Sequence, residues 1–186
     1  LRQAAWVAGR AGAAGLPVLE QIIAKRDDPE VLRQAAWGAG SAGAAGLPVL
    51  EWIIKNKKTD APEVLRQAAR VAGSAGAAGL PVLEWIIKNK KTDAPKVLRE
   101  AAEGAGLAGA AAGIPVLEQI IAKTDDPEVL REAAEGAGLA GAAGIPVLEW
   151  LSGRPGGVVA LREVANDAEL SDSASQWLRE KGLPED

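Results

Sequence analysis

Three kinds of residue in this chain could carry chemistry. Gly38-Ala39-Gly40-Ser41-Ala42-Gly43 has the G-x-G-x-x-G spacing, in which glycines let a backbone wrap a pyrophosphate at a helix N-terminus. The spelling recurs at Gly104–Gly109 and Gly136–Gly141, with Val7 and Val71 replacing the first glycine in two further copies. A phosphate loop follows a strand and opens a helix. This stretch follows the helical pattern LRQAAW and closes it, so it reads as the turn of a helical hairpin. Carboxylates recur at Glu20, Glu51, Glu84, Glu118 and Glu149. Paired acids can do general acid and base work, but like acids spaced along one face more often stay solvated and ionised. Glu51 and Glu84 also have Lys55 and Lys88 four residues on, the spacing of a helix-surface pair.

The third kind is tryptophan, and it gives the best binding candidates. Trp52, Trp85 and Trp150 share a column with Gln21 and Gln119, beside Lys55, Asn56, Lys57 and Lys58 and their copies Lys88, Asn89, Lys90 and Lys91. Tryptophan is enriched at binding hot spots. It also serves to fill the groove between successive helices, and the sequence leaves both readings open. A second column runs Trp6, Trp37, Arg70, Glu103 and Glu135. A change from apolar to basic to acidic is what a solvent-facing or partner-facing position tolerates and a core does not, so Trp6 and Trp37 are expected to form a small sticky patch.

Composition narrows the chemistry further. The 186 residues include no His, Cys, Met, Phe or Tyr, and the six Trp are the only aromatics. Without His or Cys there is no imidazole base, thiolate nucleophile, disulfide or ordinary zinc site. The expectation is therefore no catalytic residue, no metal and no cofactor. With 48% apolar and 25% charged residues the chain is globular. The longest uncharged run, Gln34 to Leu50, is too short and too rich in Gly and Ala for a bilayer span, which needs about 20 strongly apolar residues. A soluble, cytoplasmic protein is expected. The start at Leu1, without Met and in mid-element, suggests a fragment of something longer.

Repetition decides the fold. LRQAAW at 1 recurs as LRQAAW at 32, LRQAAR at 65, LREAAE at 98 and LREAAE at 130. Units this similar occupy equivalent environments, so they stack, each burying its apolar face against the next. Within a unit, Leu32, Ala35, Ala36 and Ala39 fall at helical spacing and define a helix A. Asp28-Pro29-Glu30 and Asp126-Pro127-Glu128 supply an N-cap, a first-turn proline and a first-turn acid. Gly43 and Gly46 are expected to end helix A. Pro48 then opens a helix B whose buried stripe is Leu50, Ile53 and Ile54. The predicted fold is an all-α solenoid of five stacked hairpins, 1–31, 32–64, 65–97, 98–129 and 130–151. After Trp150 the repeat breaks into Ser-Gly-Arg-Pro-Gly-Gly, and 152–186 reads as that loop and a two-helix C-terminal cap over 158–170 and 174–181.

These residues resemble the HEAT-like repeats of the phycobilin-lyase type. Asp28-Pro29-Glu30-Val31, Ala35-Ala36, Gly40, Gly43 and Leu47-Pro48-Val49-Leu50 follow that pattern in order, and the resemblance covers residues 1 to about 150. Two departures stand out. The leucines expected near positions 39 and 42 are alanines, and the turn is one residue short except at Ala110-Ala111-Ala112-Gly113, so helices A and B should lie unusually close. The resemblance implies helices A on the convex side and helices B on the concave side. It also implies a protein-binding scaffold, with bilin-lyase-like or accessory-subunit activity as an alternative.

Charge divides along the chain. Residues 1–97 carry 14 Lys and Arg against 9 Asp and Glu, and residues 98–186 carry 7 against 16. A basic part and an acidic part can steer a partner or favour head-to-tail self-association. The reading is a non-catalytic scaffold for a protein or peptide partner, with no membrane partner. A nucleic-acid-binding solenoid, with bases on Trp and phosphates on Lys, is a weaker alternative. An artificial repeat protein is another, suggested by the restricted alphabet and opposed by the unequal repeat lengths.

Overall fold

The computed structural model describes residues 2–56, 61–89, 94–167 and 170–183. Helices run in pairs along the chain. The A helices are α1 (Arg2–Arg10), α3 (Pro29–Gly40), α5 (Pro62–Ser74), α7 (Pro95–Leu107) and α9 (Pro127–Leu139). The B helices are α2 (Leu16–Ala24), α4 (Leu47–Asn56), α6 (Leu80–Asn89), α8 (Ile114–Ile121) and α10 (Ile145–Ser152). Helices α11 (Gly157–Asp167) and α12 (Asp172–Glu180) follow. The described residues contain no strand, and the chain is an α-solenoid. The expected cap helices are each present with shifted ends. Lys57, Lys58, Lys90 and Lys91 lie outside the described residues.

Local chemistry sets the helix starts. Asp28 Oδ1 accepts from the Val31 N–H at 3.1 Å, and Asp126 Oδ1 accepts from Glu128 and Val129 at 3.1 and 3.2 Å. Helices α5 and α7 have Ala61 and Ala94 at the N-cap position instead, with no side-chain cap, and rely on proline in the first turn. One expectation about the ends needs correction. Gly43 and Gly46 do not close helix A: α3 stops at Gly40, and Gly43–Gly46 forms a separate 3-10 turn leading into α4. Gly43 has φ +58, a left-handed conformation that turns the chain into the 3-10 segment and that glycine adopts without steric cost. In the fourth repeat the extra residue is absorbed by moving Gly109 out of the 3-10 turn to φ 90, ψ 129, with Ala110–Gly113 completing the turn.

The last glycine of each turn does different work. A Cβ on Gly46 would overlap the Ala39 carbonyl oxygen, and Gly15, Gly79, Gly113 and Gly144 are equally tight against Ala8, Ala72, Ala105 and Ala137. In every repeat, the fourth with its longer turn included, this glycine lets the start of helix B rest on the end of helix A. Between repeats, the B helices contribute the bulk of the core. Leu50, Ile53, Ile54 and their counterparts Leu83, Ile86 and Ile87 are almost fully buried. The A helices contribute a Val-Leu pair near their starts, such as Val31 and Leu32, then Ala and Gly, and approach one another more closely than the B helices do. Gly9 meets Gly38, Gly73 meets Gly104 and Gly106 meets Gly136 backbone to backbone, while Gly40 receives the Val71 side chain. Each CH₂ omitted from this seam forgoes about 0.8 kcal/mol of burial, and close packing of backbones recovers part of it as dispersion.

Helix α11 is more than a generic cap. It packs on α9 as the A helices pack on each other, and its Leu161-Arg162-Glu163-Val164-Ala165 matches Leu130-Arg131-Glu132-Ala133-Ala134 at a spacing of 31. Leu161 and Val164 are buried as Leu130 and Ala133 are. A sixth A helix thus continues the layer. Leu170 then fills the space beside Gly138, and Ser171 joins the cap to the array. Its hydroxyl donates to the Gly138 carbonyl at 2.8 Å and accepts from the Ala174 N–H at the start of α12.

Candidate functional site

The two tryptophan columns fall in different environments. Trp52 on α4 and Trp85 on α6 are half-buried and pack against the core. Their neighbours are engaged within their own helices. Asn56 and Asn89 each donate from Nδ2 to the carbonyl of Trp52 and Trp85 at 3.1 Å, closing the last turn, and Lys55 Nζ bonds Glu51 Oε2 at 2.7 Å. Lys88 is exposed at the end of α6. Trp150 differs, being exposed on α10 with the Arg154 guanidinium 5.7 Å from its ring centroid. Arg154 is itself held by Asp125 at 2.6 Å.

The A-helix column is open. Trp6 and Trp37 are exposed, with Arg10 standing 5.0 Å from the Trp6 centroid. Arg70 and Glu103 are exposed and Glu135 is half-exposed. Shallow grooves follow the same face between neighbouring A helices. One, of about 240 Å³, is lined by Trp37, Ser41, Gln67, Arg70 and Ser74. A smaller one lies between α7 and α9, with Glu103, Glu132 and Glu135 on its walls and Leu107 and Leu139 at its rim. A groove of about 590 Å³ runs along the helix starts past Arg66, Lys96, Arg99, Glu100 and Glu128.

This face is electrically divided. Gln3, Gln34 and Gln67 on α1, α3 and α5 become Glu100 and Glu132 on α7 and α9, and Trp or Arg in the next row becomes Glu103 and Glu135. A row of arginines crosses both halves and is partly neutralised. Arg33 bonds Glu30 at 3.1 Å, Arg99 approaches Glu128 at 3.4 Å and Arg131 approaches Glu132 at 3.7 Å. Glu132 is held above the usual carboxylate range. Burial is the main cause, the neighbouring Glu135 and Glu103 add to it, and Arg131 and Arg99 oppose it. The step from LRQAAR to LREAAE in the sequence carries this division, and it acquires meaning only because the rows share one face.

The five acids of the B column do not converge: Glu51 pairs with Lys55, and Glu20, Glu84, Glu118 and Glu149 are exposed on separate helices. Among the described residues no group of three acidic side chains is placed to hold a metal ion, and no helix is long and apolar enough to cross a membrane. The G-x-G-x-x-G stretch places Gly38 and Gly40 inside the seam between A helices and Gly43 in the turn. Its glycines are used for packing and chain reversal.

Stacked hairpins with sequential contacts define the class: a helical repeat solenoid that offers long, ridged faces and shallow grooves. Residues 47–138 match the family model for HEAT repeats, and over that span the chain is built of HEAT-like repeats. No curated protein and no solved structure matches it.

Proposed function

We propose that this chain is an interaction scaffold without a catalytic centre of its own, and that it takes a protein or peptide segment across the exposed face of its A helices. The observation that carries the reading is the row Trp6, Trp37, Arg70, Glu103 and Glu135, open to solvent above a seam that holds every helix of the row at a fixed spacing. Two exposed indoles supply apolar anchors. The polar and charged positions beside them supply selectivity: the Arg33, Arg66 and Arg70 side attracts an acidic stretch, and the Glu103, Glu132 and Glu135 side a basic one. On this reading Trp52 and Trp85 serve packing, because their rings sit against the core while Asn56, Asn89 and Lys55 bond within their own helices.

Selection of displayed random peptides on the immobilised full chain tests this. Enriched peptides are expected to lose at least about tenfold in affinity on Trp6→Ala/Trp37→Ala, as hot-spot removal implies, and to bind Trp52→Ala/Trp85→Ala normally. The opposite pattern, or no enrichment at all, would count against the A face.

A further inference from the structure

The two halves of the A-helix face complement each other row by row. In the middle row Trp37 and Arg70, on α3 and α5, answer to Glu103 and Glu135, on α7 and α9. Four residues on, the small Ser41 and Ser74 answer to Leu107 and Leu139. Shape follows from these residues. Between α3 and α5 the serines leave an open groove of about 240 Å³, walled by the Trp37 indole and the Arg70 side chain. On α7 and α9 the leucines stand out instead, 62% and 45% exposed, with Glu103 and Glu135 one turn before them. Among the described residues Arg70, Glu103 and Glu135 form no ion pair, whereas Arg33, Arg99 and Arg131 each approach a carboxylate of their own or the next A helix. The charges left unpaired are those that flank the groove and the two leucines.

We infer that the occupant of the α3–α5 groove is a second copy of this chain, which presents to it the acidic, leucine-bearing ridge of its α7 and α9. The inference rests on the A-face reading and names the partner. A groove with an indole wall and an unpaired guanidinium fits a helix that carries an acid and an aliphatic side chain four residues apart, since such a pair shares one helix face. The chain displays that pair twice, as Glu103 with Leu107 and Glu135 with Leu139. Within one copy the ridge cannot enter the groove, because α3, α5, α7 and α9 lie side by side in one layer. A second copy can bring it there. Facing the first across a two-fold axis that runs parallel to the A helices between α5 and α7, it sets Glu103 of the second copy against Arg70 and Leu107 of the second copy against Ser74. The same operation brings Glu135 and Leu139 of the second copy to Trp37 and Ser41, and each copy gives what it receives, as an isologous contact requires. The arginine row falls opposite itself, where Glu30, Glu128 and Glu132 already offset part of its charge. The groove between α7 and α9 is no rival seat for this ridge, being walled by Glu103, Glu132 and Glu135.

Sedimentation equilibrium of the full chain and of variants at these exposed positions tests this. The chain is expected to dimerise reversibly, and more weakly as salt is raised. Arg70→Glu and Glu103→Arg are each expected to weaken the dimer at least about tenfold. An equimolar mixture of those two variants is expected to restore it, because both charge contacts between unlike copies are again of opposite sign. Leu107→Ser is expected to weaken the dimer while moving the melting midpoint by no more than about 2 °C, as for a surface substitution. A chain that stays monomeric up to about 1 mM overturns the inference. So does a dimer that either single reversal leaves intact, or one that the mixture fails to restore. The peptide selection described above keeps the two readings apart: peptides that depend on Trp6 and Trp37 while the chain stays monomeric would uphold the A face and remove the second copy from it.

Discussion

Gly43 and Gly46 lie in one turn and look interchangeable, yet alanine should act on them by different means and to different degrees. Gly43 has φ +58, and no atom lies within 4 Å of the place a Cβ would take, so Gly43→Ala meets only the backbone cost. A left-handed conformation costs an L-residue roughly 1–2 kcal/mol, and stiffening the unfolded chain returns about 0.4–1 kcal/mol. The net loss is about 1 kcal/mol. At Gly46 the space is closed, because the new Cβ would overlap the Ala39 carbonyl oxygen and also crowd the carbonyl carbon and Cα. Nothing flexible can give way there, so α3 and α4 must separate, at the upper end of the roughly 1–3 kcal/mol typical of overpacking or beyond it. For a chain of this length each kcal/mol moves the melting midpoint by about 2–4 °C. Gly43→Ala should therefore melt about 3 °C below the parent and Gly46→Ala about 6 °C or more below it, measured by circular dichroism at 222 nm. Gly79→Ala and Gly144→Ala should repeat the larger loss. If Gly46→Ala melts at or above Gly43→Ala, the close stacking of the turn on helix A is wrong.

Other positions give independent checks. Trp52→Ala/Trp85→Ala should destabilise by several kcal/mol, about 2 kcal/mol for each half-buried indole, read from urea unfolding. Ala94→Asp should stabilise by about 1 kcal/mol, since α7 has no side-chain cap, and Asp126→Ala should cost about the same at α9. Glu132 gives a pH-dependent test. Its folded pKa lies above its unfolded one, so the native state holds the proton more tightly and stability falls as pH rises through that window. Glu132→Gln should consequently be more stable than the parent at pH 7, with the advantage fading to nothing below about pH 4. A pH-independent difference would mean that the amide acts through packing instead.

How much of this is legible in the sequence depends on the range of the interaction. Asp28, Pro29, Asp126 and the apolar stripe of helix B act within a turn or two of themselves, and the helices they imply are present. The function of Gly38, Gly40, Gly104 and Gly136 is not legible in the same way. Their partners lie about 30 residues away along the chain, so a local reading treats them as helix breakers although they sit inside helices. Helix α11 reads only as part of a cap because Leu161-Arg162-Glu163-Val164-Ala165 lacks the proline and turn that mark the other repeats. Its agreement with Leu130 onward is nevertheless present at the array's own spacing. For the candidate site, the exposure of Trp6 and Trp37 follows from variation down their column. The half-buried state of Trp52 and Trp85 depends on the core they pack against, which is assembled from several repeats and which no local pattern encodes.

The glycine seam also bears on how such a protein could change over time. Where Gly73 meets Gly104, main chain rests on main chain and no side chain of the outer row stands at the contact, whereas beside Gly9 the edge of the Trp37 ring lies close as well. Arginine at residue 70 and glutamate at residue 103 thus stand side by side over a spacing that the main chain sets. The outer row works like movable type in a fixed frame: its letters can be reset one repeat at a time, and the line on which they stand does not shift.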